Sequence, residues 1–269
     1  MRFLKALVFL LVISCCSHAQ TALRMKLTAH SDSGVRVLSE PEDCVTTIYA
    51  VRGKSRVEPS PSPRFPAMVI IQRCDTNMLY TLDPAKREYT ESPLPSHNGT
   101  SPTITSSAKK DEGSPNLVID TRTVDTGETK SAFGHSAHHY VTTTTVTPSP
   151  ELNQEPSETV VDAWYLDMPD VRTCDPVSPR PHGLITGFVG DRRSTPNVRP
   201  EFKYSGPEPL GMVLSETRTT NWIHILATGE QQKNEQVIST QIMEMVEVPV
   251  DPTLFEVPPG FKRVERISH

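Results

Sequence analysis

Apolar and polar residues alternate early in this chain. In ALRMKLTAH, Leu23, Met25, Leu27 and Ala29 fall on one face, while Arg24, Lys26, Thr28 and His30 fall on the other. A period of two predicts a strand with one wet face. Val45 to Val51 and Met68 to Gln72 are β-branched runs closed by turn or loop residues, which read as two more strands. In LYTLDPAKREYTE, two short strands flank Asp83-Pro84-Ala85-Lys86, where Asp starts a turn and Pro presets its backbone angle.

Further along, Leu117 to Thr147 predicts two or three strands. Val160 to Met168 carries apolar residues on both faces, as a strand in the middle of a sheet does. Met212 to Thr220 and Trp222 to Ala227 read as neighbouring strands. Val237 to Val248 also fits helical spacing through Ile238, Ile242, Met245 and Val246, but its Val, Ile and Thr content favours a strand. Residues 169–209 are rich in Pro, Gly and Arg, and little regular structure is expected there.

Composition strengthens the β reading. The chain has 25 prolines and only 6% aromatic residues. The prolines cluster in loops, breaking helices and leaving short extended segments. Two polar stretches, 92–116 and 148–158, read as connections that bury almost nothing. The expected organisation is a leader at residues 1–19 and one β-rich domain over 20–269.

The leader is read from MRFLKALVFLLVISCCSHAQ. Arg2 and Lys5 precede a short apolar run, and Ser17-His18-Ala19 supplies small residues for cleavage before Gln20. The run is too short to span a bilayer, and no later stretch is long and apolar enough. Val12-Ile13-Ser14-Cys15 also fits a bacterial lipobox, which would lipidate Cys15. Both routes export the protein to the periplasm or beyond.

Without residues 1–19, which carry Arg2 and Lys5, the formal charge of -5 becomes -7, with no basic patch for nucleic acid. Asn98-Gly99-Thr100 has the form of a glycosylation sequon in a polar linker. Three cysteines remain: Cys44, Cys74 and Cys174. An oxidising compartment permits one disulfide among them; Cys44 with Cys74 is favoured because both lie in the strand-rich N-terminal part, and the pairing stays open.

Three apparent catalytic signatures crowd residues 124–147, VDTGETKSAFGHSAHHYVTTTTVT. Asp125-Thr126-Gly127 has the form of an aspartic-protease loop, with Asp32-Ser33-Gly34 as a partner, since that chemistry needs two carboxylates. Yet Glu128 and Val35 stand where Ser or Thr should follow the glycine, and a turn between strands explains the tripeptide better. Gly134-His135-Ser136-Ala137-His138 lacks the second glycine of a serine-hydrolase elbow and no helix-forming run follows it. On a strand His135 and His139 share a face about 13 Å apart while His138 points away, so they close no single-metal site unaided. His30, His182 and His224 are not placed near them by any pattern. No catalytic residue, metal or cofactor is expected.

The stretch resembles a paired-strand pattern of secreted bacterial proteins of unassigned function in the lipoprotein-carrier-like (LolA/LolB-like) superfamily. Gly127, Glu128, Thr129, Lys130, Gly134, Ala137, Tyr140 and Val141 carry the match. The hairpin Leu82-Asp83-Pro84 ending in Tyr89, the segment Ala163 to Pro169, and the terminal Val250-Asp251-Pro252-Thr253-Leu254-Phe255-Glu256-Val257-Pro258-Pro259-Gly260-Phe261 are similar too. The terminal segment reads as a strand leaving the sheet, a turn at Asp-Pro, then Phe255 and Val257 tucking back.

The resemblance implies a strongly curved antiparallel sheet, a half-open barrel, with helices in its concave side; this sequence departs in having few helices and long Pro-rich loops. It also implies a non-enzymatic envelope protein that binds a lipid or acyl chain in the hollow, with Trp164, Leu166, Met212, Leu214 and Trp222 as candidate lining residues. The alternatives are a sensor or scaffold that binds another envelope protein, and a hydrolase using Asp125 or the histidines. Oligomeric state is left open.

Overall fold

The computed structural model describes residues 20–33, 42–61, 67–94, 115–152, 155–171, 174, 198–225, 228 and 230–267. The leader, Cys15, His182, the sequon at Asn98 and most of the 92–116 stretch lie outside them.

Strand β1 (Gln20–Ser33) is followed by β2 (Glu42–Val51), β3 (Lys54–Pro59), β4 (Val69–Arg73), β5 (Met78–Asp83) and β6 (Glu88–Pro93), which form a meander. Next come the long β7 (Leu117–Ala132) and β8 (His135–Pro148), then β9 (Ser157–Leu166), β10 (Pro200–Ser205), β11 (Met212–Ile225), β12 (Gln231–Val250) and the two-residue β13 (Lys262–Arg263). All thirteen join one sheet in the order β10-β7-β8-β9-β11-β12-β1-β2-β3-β4-β5-β6-β13. Interior neighbours run antiparallel, whereas the two outermost strands, β10 on β7 and β13 on β6, run parallel to theirs.

The expected β class is therefore observed, as one mixed sheet whose ends do not meet and which is not strongly curled. The helical segments among the described residues are two 3-10 turns, Pro150–Leu152 and Pro252–Phe255. The strong curvature and the purely antiparallel pairing expected from the family resemblance are corrected accordingly. No helix among the described residues is long and apolar enough to cross a membrane.

Local chemistry explains the junctions. The β5–β6 hairpin sits where Asp83 was expected to start a turn: its Oδ1 accepts from the amides of Ala85 (3.0 Å) and Lys86 (3.1 Å). Phe133 and Gly134 join β7 to β8 with positive φ at both positions, the requirement of a two-residue hairpin loop whose twist matches its strands. That loop disposes of the serine-elbow match. Residues 212–225, expected as two strands, form the single strand β11, because Asn221 keeps its place opposite Glu158 and Glu235.

Asp125-Thr126-Gly127 is not a turn between strands but a bulge inside β7. Asp125 lies opposite Tyr140 and Thr129 opposite His138, so three residues of β7 face the single His139. Gly127 has φ +75°, and its amide donates to Asp125 Oδ1 at 2.8 Å, which ties the carboxylate to the bulge. Asp32 lies on β1, five ladder steps from β7, about 24 Å across the sheet. Two such carboxylates share no proton.

Apolar side chains gather on both faces. One cluster holds Met25, Ile48, Ala50, Ala137, Leu166, Met212, Leu214 and Ile242, drawn from β1, β2, β8, β9, β11 and β12. A second places Phe255 on Ala22, Val69, Ile71 and Leu82. Here the terminal segment follows most of its expected course: β12 ends, Asp251 caps the 3-10 turn by accepting from the Thr253 amide at 2.9 Å, and Phe255 is wholly buried, whereas Val257 is only half-buried and outside the cluster. The middle position expected of β9 is also met. Val161, Ala163 and Tyr165 are buried on one face, and Leu166 with Trp164 packs on the other.

The disulfide joins Cys74 to Cys174 and leaves Cys44 as the free thiol, which corrects the favoured Cys44–Cys74 pairing. Cys74 opens the β4–β5 turn, and its amide donates to Gly53 O at 2.8 Å, beside the β2–β3 turn. Cys44 lies nine residues back along β2, about 30 Å away by strand rise. A disulfide needs Cα atoms within about 7 Å.

Candidate functional site

Four of the five candidate lining residues converge where β8, β9 and β11 meet. Leu166 stands opposite Met212 and Ala137, and a bulge between Val213 and Ser215 lets Leu214 join the same cluster. Leu166 and Met212 are fully buried, Leu214 nearly so, and Trp164 packs at the margin, half-buried. Trp222 does not join them. It lies opposite Asn234 and Ser157, about 24 Å along β11 from Ser215, the partner of Trp164.

Methionines are prominent in this cluster. Met25 and Met212 are buried in it, and Met168 and Met245 pack against it. Met168 and Val171 belong to the chain that leaves β9, so this connection covers part of the cluster before reaching Cys174. This strap is turned at its start, where the Met168 amide donates to Leu166 O at 2.8 Å and the Asp167 amide to Ser136 O at 2.8 Å. Gly211 sits under its start: a Cβ there would come within 2.1 Å of Leu166 O, so only glycine permits this approach.

Beside the cluster lies a polar array on β7, β8 and β9. His139 stacks on Trp164 with ring centroids 4.7 Å apart and planes at 13°. Its Nε2 lies 3.0 Å from Asp162 Oδ1; its Nδ1 lies 3.1 Å from Thr126 Oγ1 and 3.3 Å from Glu128 Oε2. Lys130 Nζ stands 3.9 Å from the Trp164 ring centre. Desolvation lowers the Lys130 ammonium from its ordinary value, with Asp162 opposing. Nearby, burial pushes the Tyr165 phenol well above its usual range, and desolvation raises that of Tyr140.

Hydroxyl, imidazole and carboxylate in line have the outline of a nucleophile relay. The hydroxyl is otherwise employed, however. Thr126 Oγ1 accepts from the Glu128 amide at 3.2 Å and donates to His139 O at 3.2 Å, closing the bulge on itself. His139 meets Asp162 of β9 through Nε2 and Thr126 and Glu128 of β7 through Nδ1, and so clasps the bulge of β7 to β8 and β9. Among the described residues no three His, Cys, Asp or Glu side chains are grouped to hold a metal, and His30 is exposed on β1. The sequence singled out Trp164 and His139, and Lys130 only within the family resemblance; Asp162 was missed. Their meeting depends on cross-strand register, for which β8 and β9 carry no short motif.

The clasp can be tested by a double-mutant cycle. Lys130→Met is expected to lower stability by about 0.5–1 kcal/mol, the worth of an exposed cation–π contact. In a Trp164→Leu background the same change should cost close to nothing. Urea titrations of the four proteins provide the measurement.

No family model matches this chain, and no curated protein matches it. Solved structures with distant similarity include that of PNGF-II, at 12% identity and a TM-score of 0.35, covering 91% of this chain and 32% of that one. An uncharacterised conserved protein from Thermus thermophilus is 8% identical with a TM-score of 0.33, covering 90% of each chain. A LolA superfamily protein from Nitrosomonas europaea is 8% identical with a TM-score of 0.30, covering 87% of this chain and 89% of that one. Likenesses of this strength define no activity.

Proposed function

We propose that this is an exported, non-enzymatic protein that binds an apolar ligand, a lipid or acyl chain, on the methionine-rich sheet face beneath the strap from β9 to Cys174. The carrying observation is the makeup of that cluster. Met25, Met212, Met168 and Met245 bring unbranched, polarizable side chains that repack around variable apolar shapes, a property of adaptable binding surfaces. The cover is a short segment resting on Met168 and Val171, so admitting a chain requires moving one strap rather than opening the sheet. Trp164 at the margin would report entry.

Two features support the other parts of the reading. A disulfide that closes a long loop persists in an oxidising compartment, in keeping with export. The bulge at Asp125 to Glu128 uses its polar groups internally, which favours binding over hydrolysis. Native mass spectrometry of protein isolated from its own envelope should reveal a retained acyl-chain ligand. Titration with a fluorescent fatty acid should give saturable binding that Met212→Gln weakens at least tenfold. Ligand-free protein that also ignores the probe would sink the proposal.

A further inference from the structure

The two ends of the sheet are finished differently. At one end β13 is two residues long and presents Lys262 and Arg263, a short cationic edge of the kind that discourages pairing. At the other end β10 runs for six residues, PEFKYS, and no described strand lies on its outer side. Phe202 and Tyr204 on it are 49% and 63% exposed, with parallel rings 6.4 Å apart.

Backbone parity settles what this edge offers. β10 pairs with β7 in parallel, and Arg199 O accepts from the amides of Asn116 and Leu117. In a parallel pair the residues facing the neighbour alternate, so Glu201, Lys203 and Ser205 turn their amide and carbonyl groups inward. Phe202 and Tyr204 turn theirs outward. Gly206 ends the strand against Thr123, where a Cβ would lie 1.8 Å from the carbonyl oxygen, so the edge is held firmly to β7.

We propose that β10 pairs antiparallel with β10 of a second copy of this chain, about a two-fold axis at Phe202, to give a continuous sheet across a dimer. In that register Phe202 faces its own counterpart as a hydrogen-bonded pair, and each Tyr204 amide meets the carbonyl of Pro200 opposite. Pro200 lacks an amide hydrogen but still accepts. On the other face each Glu201 stands across from the other copy's Lys203, in the non-hydrogen-bonded position where side chains come closest. Within one chain these two groups reach each other only at 3.8 Å. The strand is thus complementary in charge to its own reverse, which selects a second copy over other strands. Shifting the axis to Tyr204 would set Lys203 against Ser205 and forfeit both ion pairs.

A charge exchange tests this. Wild-type protein is expected to sediment as a dimer, and E201K and K203E each as a monomer, since each places like charges opposite each other twice. Mixing the two variants should restore a dimer containing one of each, and the double variant E201K/K203E should dimerise alone. In a Cys44→Ser background, F202C should crosslink to its counterpart under mild oxidation and Y204C should not, because paired Cα atoms lie about 5.5 Å apart only at the axis. A monomeric wild type, single variants that dimerise unchanged, or crosslinking at Y204C in preference to F202C would each overturn the proposal.

Discussion

Replacing Phe255 by alanine is expected to cost about 3–5 kcal/mol of stability, the usual range for truncating a fully buried phenylalanine. Phe255 is wholly buried against Ala22, Val69, Ile71 and Leu82, so it fastens the C-terminal turn to β1, β4 and β5. Two guanidinium groups hold the same turn: Arg56 donates to Leu254 O at 3.0 Å and Arg73 to Phe255 O at 3.4 Å. Losing the ring would leave a cavity that these polar contacts keep from collapsing. Phe255→Leu, which retains most of the volume, should cost far less. Urea denaturation of both variants measures this, and a loss below about 1 kcal/mol for the alanine variant would mean the turn is not part of the core.

Removing the disulfide should have an effect of similar size. Cys74 and Cys174 are 100 residues apart, and a crosslink closing such a loop removes about 4.7 kcal/mol of unfolded-chain entropy in the simplest model, with observed losses of about 2–5 kcal/mol. The double variant Cys74→Ser/Cys174→Ser should fall within that range, and adding reductant to the wild type should reproduce it. Alkylation of unreduced protein comprising residues 20–269 should label Cys44 alone. Labelling at Cys174 with a Cys44–Cys74 bond would reverse the assignment. Because the strap ends at Cys174, the double variant should also loosen the cover over the methionine-rich face, changing acyl-chain binding together with stability.

The sequence was most legible where one strand or turn carries its own reason. ALRMKL alternates because Leu23, Met25 and Leu27 pack on one cluster while Arg24 and Lys26 turn to the other face and meet Glu244, and Asp83-Pro84 marks a turn by side-chain chemistry alone. The terminal Asp-Pro turn and the burial of Phe255 follow from the same kind of local logic. Legibility fell wherever distant segments had to be matched. PEFKYS has two aromatic residues and prolines on both sides, so β10 looked like part of an irregular stretch until β7 provided its ladder. Cys174 lies in the same stretch, which made Cys44 look the nearer partner for Cys74. At the candidate site, Trp164 and Leu166 could be singled out as large apolar residues. That His139 would stack on Trp164 and bond Asp162 is a matter of register between β8 and β9. Trp222 has the right residue type at the wrong end of β11.

The place of β1 in the sheet bears on how the chain reaches this state. Gln20 lies opposite Val250, so β1 finds its β12 neighbour only after all the strands between them have been made. The outer strands also depend on distant partners, since β13 returns to β6 and β10 to β7 across long stretches of sequence. Such distant pairings slow folding and leave unpaired strand borders open in the meantime. In a chain made from its N-terminus, the side of β1 that faces β12 stays unpaired until β12 has emerged, a long interval in which a bare strand border is open to wrong partners.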